Sequence, residues 1–216
     1  AEVLSLLRRF YPLVSNHAGV TDLKPVNQLL QFLSMPAPGK YLNYLHQCGG
    51  ITGLFPELEI ANAVQIDAGT FLDRNVAAAA DFLVEHYATD AQKFLNFEIA
   101  PKVTHLGLIR LMLMFTQMGR AYYDFKPDAP YVAGVSKTPQ EFILRIERNL
   151  LRHVGARLQQ STELKTLFQS APQALAYAYS DRSEEARRTC CSNLSGASLL
   201  RADLITQFIA AHPAFN

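Results

Sequence analysis

Apolar side chains recur three and four residues apart along almost the whole chain, and no run sustains a period of two. That spacing lines one face of an α-helix with apolar groups and withholds the alternation a half-buried strand needs. The expected fold class is therefore all-α, an irregular multi-helix bundle of roughly eight to ten helices with no real sheet. A chain of 216 residues can bury one sizeable core or two small helical subdomains. With 49% hydrophobic and 18% charged residues, it is too apolar to be disordered.

Breakers and caps divide this pattern. Helices are expected over Ala1–Val14, from a cap at Asp22 to Leu33, and over Lys40–Gln47 with Gly49 and Gly50 as C-caps. Ile51–Leu58 reads as an apolar turn around Pro56. A longer helix opens at Asp67 or Thr70 and runs to Leu83, with the alanines Ala77–Ala80 permitting close packing. Another runs from Thr89 to near Pro101. Thr104 is expected to cap a long central helix, His105–Tyr123. Lys126–Val135 is a Pro- and Gly-containing loop, and Thr138-Pro139-Gln140-Glu141 has the cap, N1 proline and first-turn acid of a helix start. That helix is expected to reach Leu158, followed by others including Pro172–Tyr179 and Ala197–Ala211.

Charge is unevenly spread. Residues 1–99 hold six Lys/Arg against ten Asp/Glu, and residues 100–216 hold fourteen against nine. The expected organisation is an acidic N-terminal helical subdomain, 1–125, and a basic C-terminal one, 126–216, or else one continuous domain. The longest near-apolar run, Leu106–Met118, is interrupted by Arg110 and Gln117 and is too short to span a bilayer. No charged n-region with an apolar stretch and cleavage site is seen at the start. Three cysteines, two of them adjacent, read as reduced thiols, so a cytoplasmic location is expected.

No complete catalytic constellation emerges. The six histidines form no His-Glu-x-x-His or local His-Asp pair, and there is no Cys-x-x-Cys. Gly49-Gly50-Ile51-Thr52-Gly53 lacks the Lys-Ser/Thr of a phosphate loop. Neither a Gly-x-Ser-x-Gly elbow nor an Asp-x-Asp pair for divalent metals occurs. No cofactor, metal or catalytic residue is therefore assigned. An enzyme of another type would need a polar pocket, with His105, Tyr122, Tyr123 and Asp124 the first candidates.

The clearest electrostatic feature is the helix after Thr138. At 100° per residue, Phe142, Ile143, Ile146, Leu150, Leu151, Val154 and Leu158 share one half, while Arg145, Arg148 and Arg152 form a narrow stripe on the other. Guanidinium groups one turn apart suit successive phosphates or an acidic protein surface. The plainer alternative is a solvated face tempered by Glu141 and Glu147. Arg182, Arg187 and Arg188 make a second basic cluster beside Asp181, Glu184 and Glu185. Tyr122, Tyr123, Phe125 and Tyr131 could stack on bases, though core packing explains them as well.

The segments Leu23–Leu33 and Pro38–Leu58, the latter ending Leu54-Phe55-Pro56-Glu57-Leu58, resemble the neck of CCA-adding tRNA nucleotidyltransferases and bacterial poly(A) polymerases. Gln65–Gly69 and Leu111–Gly119 are similar to parts of the body that follows the neck in some members. Thr116 and Gln117 stand where the body of those members carries His and Asp, so a metal-dependent phosphohydrolase role does not transfer. The nucleotidyltransferase head with its aspartates is absent. The resemblance implies a helical region that grips RNA without catalysing. Binding of RNA or another acidic partner through Arg145, Arg148, Arg152, Arg187 and Arg188 is the resulting expectation. The alternative is a protein-interaction, effector or assembly module, self-associating through its oppositely charged halves.

Overall fold

The structure is a computed structural model that describes residues 24–58, 71–125, 138–158 and 161–215. The helix expected over Ala1–Val14, the Asp22 cap, the Asp67 or Thr70 helix start, Gln65–Gly69 and the Lys126–Val135 loop lie outside the described residues.

The fold is all-α. In chain order the helices are α1 (Lys24–Leu33), α2 (Gly39–Gln47), α3 (Gly50–Leu54), α4 (Phe71–Asp81), α5 (Thr89–Leu95) and α6 (His105–Met114). Then come α7 (Met118–Phe125), α8 (Pro139–Arg157), α9 (Thr162–Ala178), α10 (Glu184–Cys190) and α11 (Gly196–Ala211). Short 3₁₀ turns lie at Val84–His86 and Pro213–Phe215.

Helix α6 is the centre. All ten of its residues are buried, and α1, α4, α5, α9 and α11 pack on it. The apolar core is continuous from Val26 to Ile209, so it crosses residue 125. Two glycines allow close helix crossings. A Cβ on Gly107 would lie 2.3 Å from the Ser34 Oγ and 2.8 Å from the Leu30 carbonyl oxygen, and one on Gly119 would lie 2.1 Å from that of Ile143. Ala78 and Ala79 are buried on α4, which packs on α6 and α2.

Arg110, the charge that interrupts the apolar run, is fully buried at the hub. Its Nε and Nη2 donate to the Phe82 carbonyl, Nη1 to those of Leu33 and Met35, and Nη2 also to that of Pro36. These oxygens lie at or just beyond the C-terminal ends of α1 and α4, where backbone dipoles favour a cation. Burial lowers its pKa to about 10, and Glu85 opposes that shift.

Several local expectations are corrected. Ile51–Leu58 is not a simple turn, since Gly50–Leu54 forms α3. Gly49 alone takes the left-handed cap, with φ +77°. The helix begun at Thr89 ends at Leu95, and Glu98–Ala100 pairs with Val103–Thr104 as a small antiparallel hairpin. The long helix expected over His105–Tyr123 is broken in two. The Asn75 amide donates to the Met114 and Thr116 carbonyls, Thr116 Oγ1 donates to that of Leu113, and Gln117 turns left-handed at φ +57°. Pro172 lies inside α9, which starts at Thr162 behind a Ser161 cap. By contrast α8 begins as its sequence dictates, with the Glu141 N–H donating to Thr138 Oγ1 at 3.2 Å.

Candidate functional site

The break between α6 and α7 exposes the first N–H groups of α7, which need acceptors from elsewhere. The Gln117 N–H donates to the Tyr179 hydroxyl oxygen, and those of Met118 and Gly119 donate to Glu147. The Tyr179 hydroxyl in turn donates to Glu147 Oε1 at 3.4 Å. The bare Cα of Gly119 lets the α8 backbone approach closely enough for this joint to form.

Glu147 therefore belongs to the core, with 1% of its surface exposed, and not to a solvated face. Burial pushes its pKa up to about 8, against the lowering influence of the Gly119, Tyr179 and Met118 hydrogen bonds. Burial likewise raises the Tyr179 phenol well above its ordinary value, with Glu147 adding to the effect. Both groups are neutral near pH 7.

Next to this joint lies a cavity of about 480 Å³. Its polar lining comprises Arg74, Arg120, Arg182, Gln117 and Tyr179, and its apolar wall includes Ile143, Leu144, Ile209 and Phe215. None of the described lining residues is acidic. Arg74 sits 5.6 Å from the centre of the Phe71 ring and 5.8 Å from that of Phe215. Its Nε and Nη2 are buried with no hydrogen-bond partner in the described chain, and burial lowers its pKa. The Arg182 backbone is left-handed, at φ +60°. Sequence reasoning missed this site because its arginines come from α4, α7 and the α9–α10 connection, and no spacing rule relates them.

The residues singled out in the sequence lie elsewhere. Arg145, Arg148 and Arg152 are exposed on the outer side of α8, joined there by His153. With Glu147 buried and Arg157 turned to Glu57, the exposed face of α8 carries one acid, Glu141. Arg187 is engaged by Asp203, its Nε and Nη2 donating to the two carboxylate oxygens at 2.8 Å each. Arg188 pairs with Glu184 at 3.3 Å. The structure thus keeps the α8 stripe together and ties Arg187 and Arg188 to neighbouring acids.

His105 is 7% exposed and stacks on Phe94 with ring centres 4.1 Å apart. Arg201 Nη1 lies 3.1 Å from its Nδ1, and a guanidinium can only donate, so Nδ1 accepts. Burial and then Arg201 lower the His105 pKa to about 4. The side chains of Tyr122, Tyr123, Asp124 and Phe125, like all of Tyr131, lie outside the described residues. Two His–Asp pairs absent from local sequence are made by folding, His46 with Asp73 and His212 with Asp81. No group of three or more metal-ligating side chains occurs among the described residues. Nor is any described helix long and apolar enough to cross a membrane.

The Leu54–Leu58 segment is held by a residue about a hundred positions further along the chain. Arg157 donates to both Glu57 carboxylate oxygens at 3.0 Å and to the Leu54 carbonyl at 3.1 Å, with its guanidinium over the Phe55 ring. Phe55 packs against Phe115 and Phe168. Comparisons of the chain with protein-family models, with curated proteins and with solved structures find no match.

Proposed function

We propose that the chain is a non-catalytic helical module that binds RNA through the outer face of α8. The observation that carries this reading is the segregation of charge on that helix. Glu147 is buried and Arg157 is paired with Glu57, leaving Arg145, Arg148 and Arg152 exposed on a face with Glu141 as its one acid. On a helix rising 1.5 Å per residue, these arginines are about 4.5 and 6 Å apart along the axis, spacings suited to a charged backbone. The resemblance of Leu54–Leu58 to the neck of tRNA nucleotidyltransferases favours RNA over other anions. Free Cys48, Cys190 and Cys191 accord with a cytoplasmic location.

Fluorescence anisotropy with a labelled single-stranded RNA, titrated across salt, tests the reading. Three phosphate contacts should give a log–log salt slope of about 2, at ~0.7 per neutralised phosphate. Charge reversal of Arg145, Arg148 and Arg152 to Glu should abolish binding while the circular dichroism spectrum is kept. Unchanged RNA binding in that variant removes α8 from the reading. Binding to poly-glutamate but not RNA assigns an acidic protein partner instead, and light scattering across salt detects self-association.

A further inference from the structure

We propose that the cavity lined by Arg74, Arg120 and Arg182 is a binding site for a small phosphomonoester carrying an apolar or aromatic body. The inference is independent of the α8 stripe, since different arginines carry it.

Three features of the cavity converge. Its charge is one-sided, with three guanidinium groups and no acidic residue among the described lining residues. The carboxyl of the adjoining joint, Glu147, is kept protonated near pH 7 by burial. Three arginines match the −1.5 to −2 charge and the several acceptor oxygens of a phosphomonoester better than the single charge of a carboxylate.

Arg74 is also preorganised for an acceptor. Its guanidinium is held near the Phe71 and Phe215 rings, while two of its edge nitrogens have no hydrogen-bond partner in the described chain. Buried donors left unmade are costly, and a phosphate oxygen would satisfy them. Lowering of the Arg74 pKa by burial runs in the direction that a bound anion would reverse.

Two of the three described non-glycine residues with left-handed backbone lie at the same place, the third being Lys102 in the hairpin turn. Gln117 and Arg182, which both line the cavity, hold φ at +57° and +60°. Left-handed backbone is costly for such residues and persists where surrounding structure enforces it, often at ligand clamps. Ile143, Leu144, Ile209 and Phe215 give the same cavity an apolar lining for the body of the ligand. A volume of about 480 Å³ is that of an ordinary small-molecule site.

Isothermal titration calorimetry on the full chain with phenyl phosphate, inorganic phosphate and benzyl alcohol tests the proposal. Phenyl phosphate should bind one to one and at least tenfold tighter than inorganic phosphate, with benzyl alcohol giving no saturable heat. Arg182→Ala and Arg120→Ala, both at exposed positions, should each weaken phenyl phosphate at least tenfold. The Arg145, Arg148 and Arg152 charge reversal should leave it unchanged. As a second readout, phenyl phosphate should raise the melting temperature of the wild type but not of Arg74→Met. Absence of saturable phenyl phosphate binding overturns the proposal, as does equal affinity for inorganic phosphate or unaltered affinity in both alanine variants.

Discussion

Arg110 grips the carbonyl oxygen of Phe82 with two nitrogens, Nε at 3.0 Å and Nη2 at 2.9 Å. The same guanidinium reaches Leu33 and Pro36, so one buried side chain closes the ends of α1 and α4 over α6. Arg110→Met leaves those carbonyls without donors in the interior, and urea unfolding should show a loss of about 3 kcal/mol or more. Arg110→Lys keeps the charge but cannot reproduce the fork, and should recover under half of that loss. Equal stability of Arg110→Met and the wild type would mean that these hydrogen bonds contribute nothing net.

Glu147 gives stability a pH dependence of unusual sign for a carboxylate. Its folded pKa, about 8, lies above the unfolded value, so the folded state holds a proton the unfolded state has released. This contribution is fully present at acid pH and is lost as pH rises from the unfolded value through about 8. His105 acts oppositely, its folded pKa near 4 making stability fall as pH drops below the ordinary imidazole value. The two slopes offset each other in mildly acidic solution. Above pH ~6.5 only Glu147 remains, and stability should fall by up to about 1.4 kcal/mol per pH unit. Denaturation at pH 6.5 and pH 8 should show the fall in the wild type and its absence in Glu147→Gln.

Gly119 has no room for a methyl group. Placing a Cβ 2.1 Å from the Ile143 carbonyl oxygen forces α7 and α8 apart and pulls the α7 N–H groups away from Glu147. Gly119→Ala should cost about 2 kcal/mol or more in thermal unfolding, beyond the gain in helix propensity alanine brings. Gly155→Ala is the milder comparison, because its nearest neighbour is the Phe168 Cβ at 3.0 Å.

Glu57 and Arg157 form a largely buried, forked pair, with side chains 9% and 14% exposed. Removing one partner strands the other, so Glu57→Gln and Arg157→Met should each destabilise by about 3 kcal/mol. The double variant should lose less than the sum of the two in a thermodynamic cycle. Additive losses would show that the two side chains act separately.

How much of this was legible in the sequence depends on the reach of each interaction. Local features read well: the Thr138 cap, the Gly49 helix stop and the buried leucines of α1 all follow from neighbours within a few residues. The break at Phe115–Gln117 did not, because an unbroken apolar pattern looks helical and the Asn75 amide that ends α6 comes from another helix. Glu147 was misplaced for a related reason. An acid among arginines reads as surface, and nothing near it shows that the start of α7 will need an acceptor. The cavity is wholly a product of folding, with Arg74, Arg120 and Arg182 each unremarkable in its own stretch.

Helix α6 has no wet side. Segments from Val26 to Ile209 enclose it, so it cannot shelter its apolar surface against any single neighbour formed early. Its packing must wait for distant parts of the chain to meet, and closing those long loops governs how fast the molecule assembles. Helices at the edge of the fold can open alone, but this one opens only when the whole fold gives way.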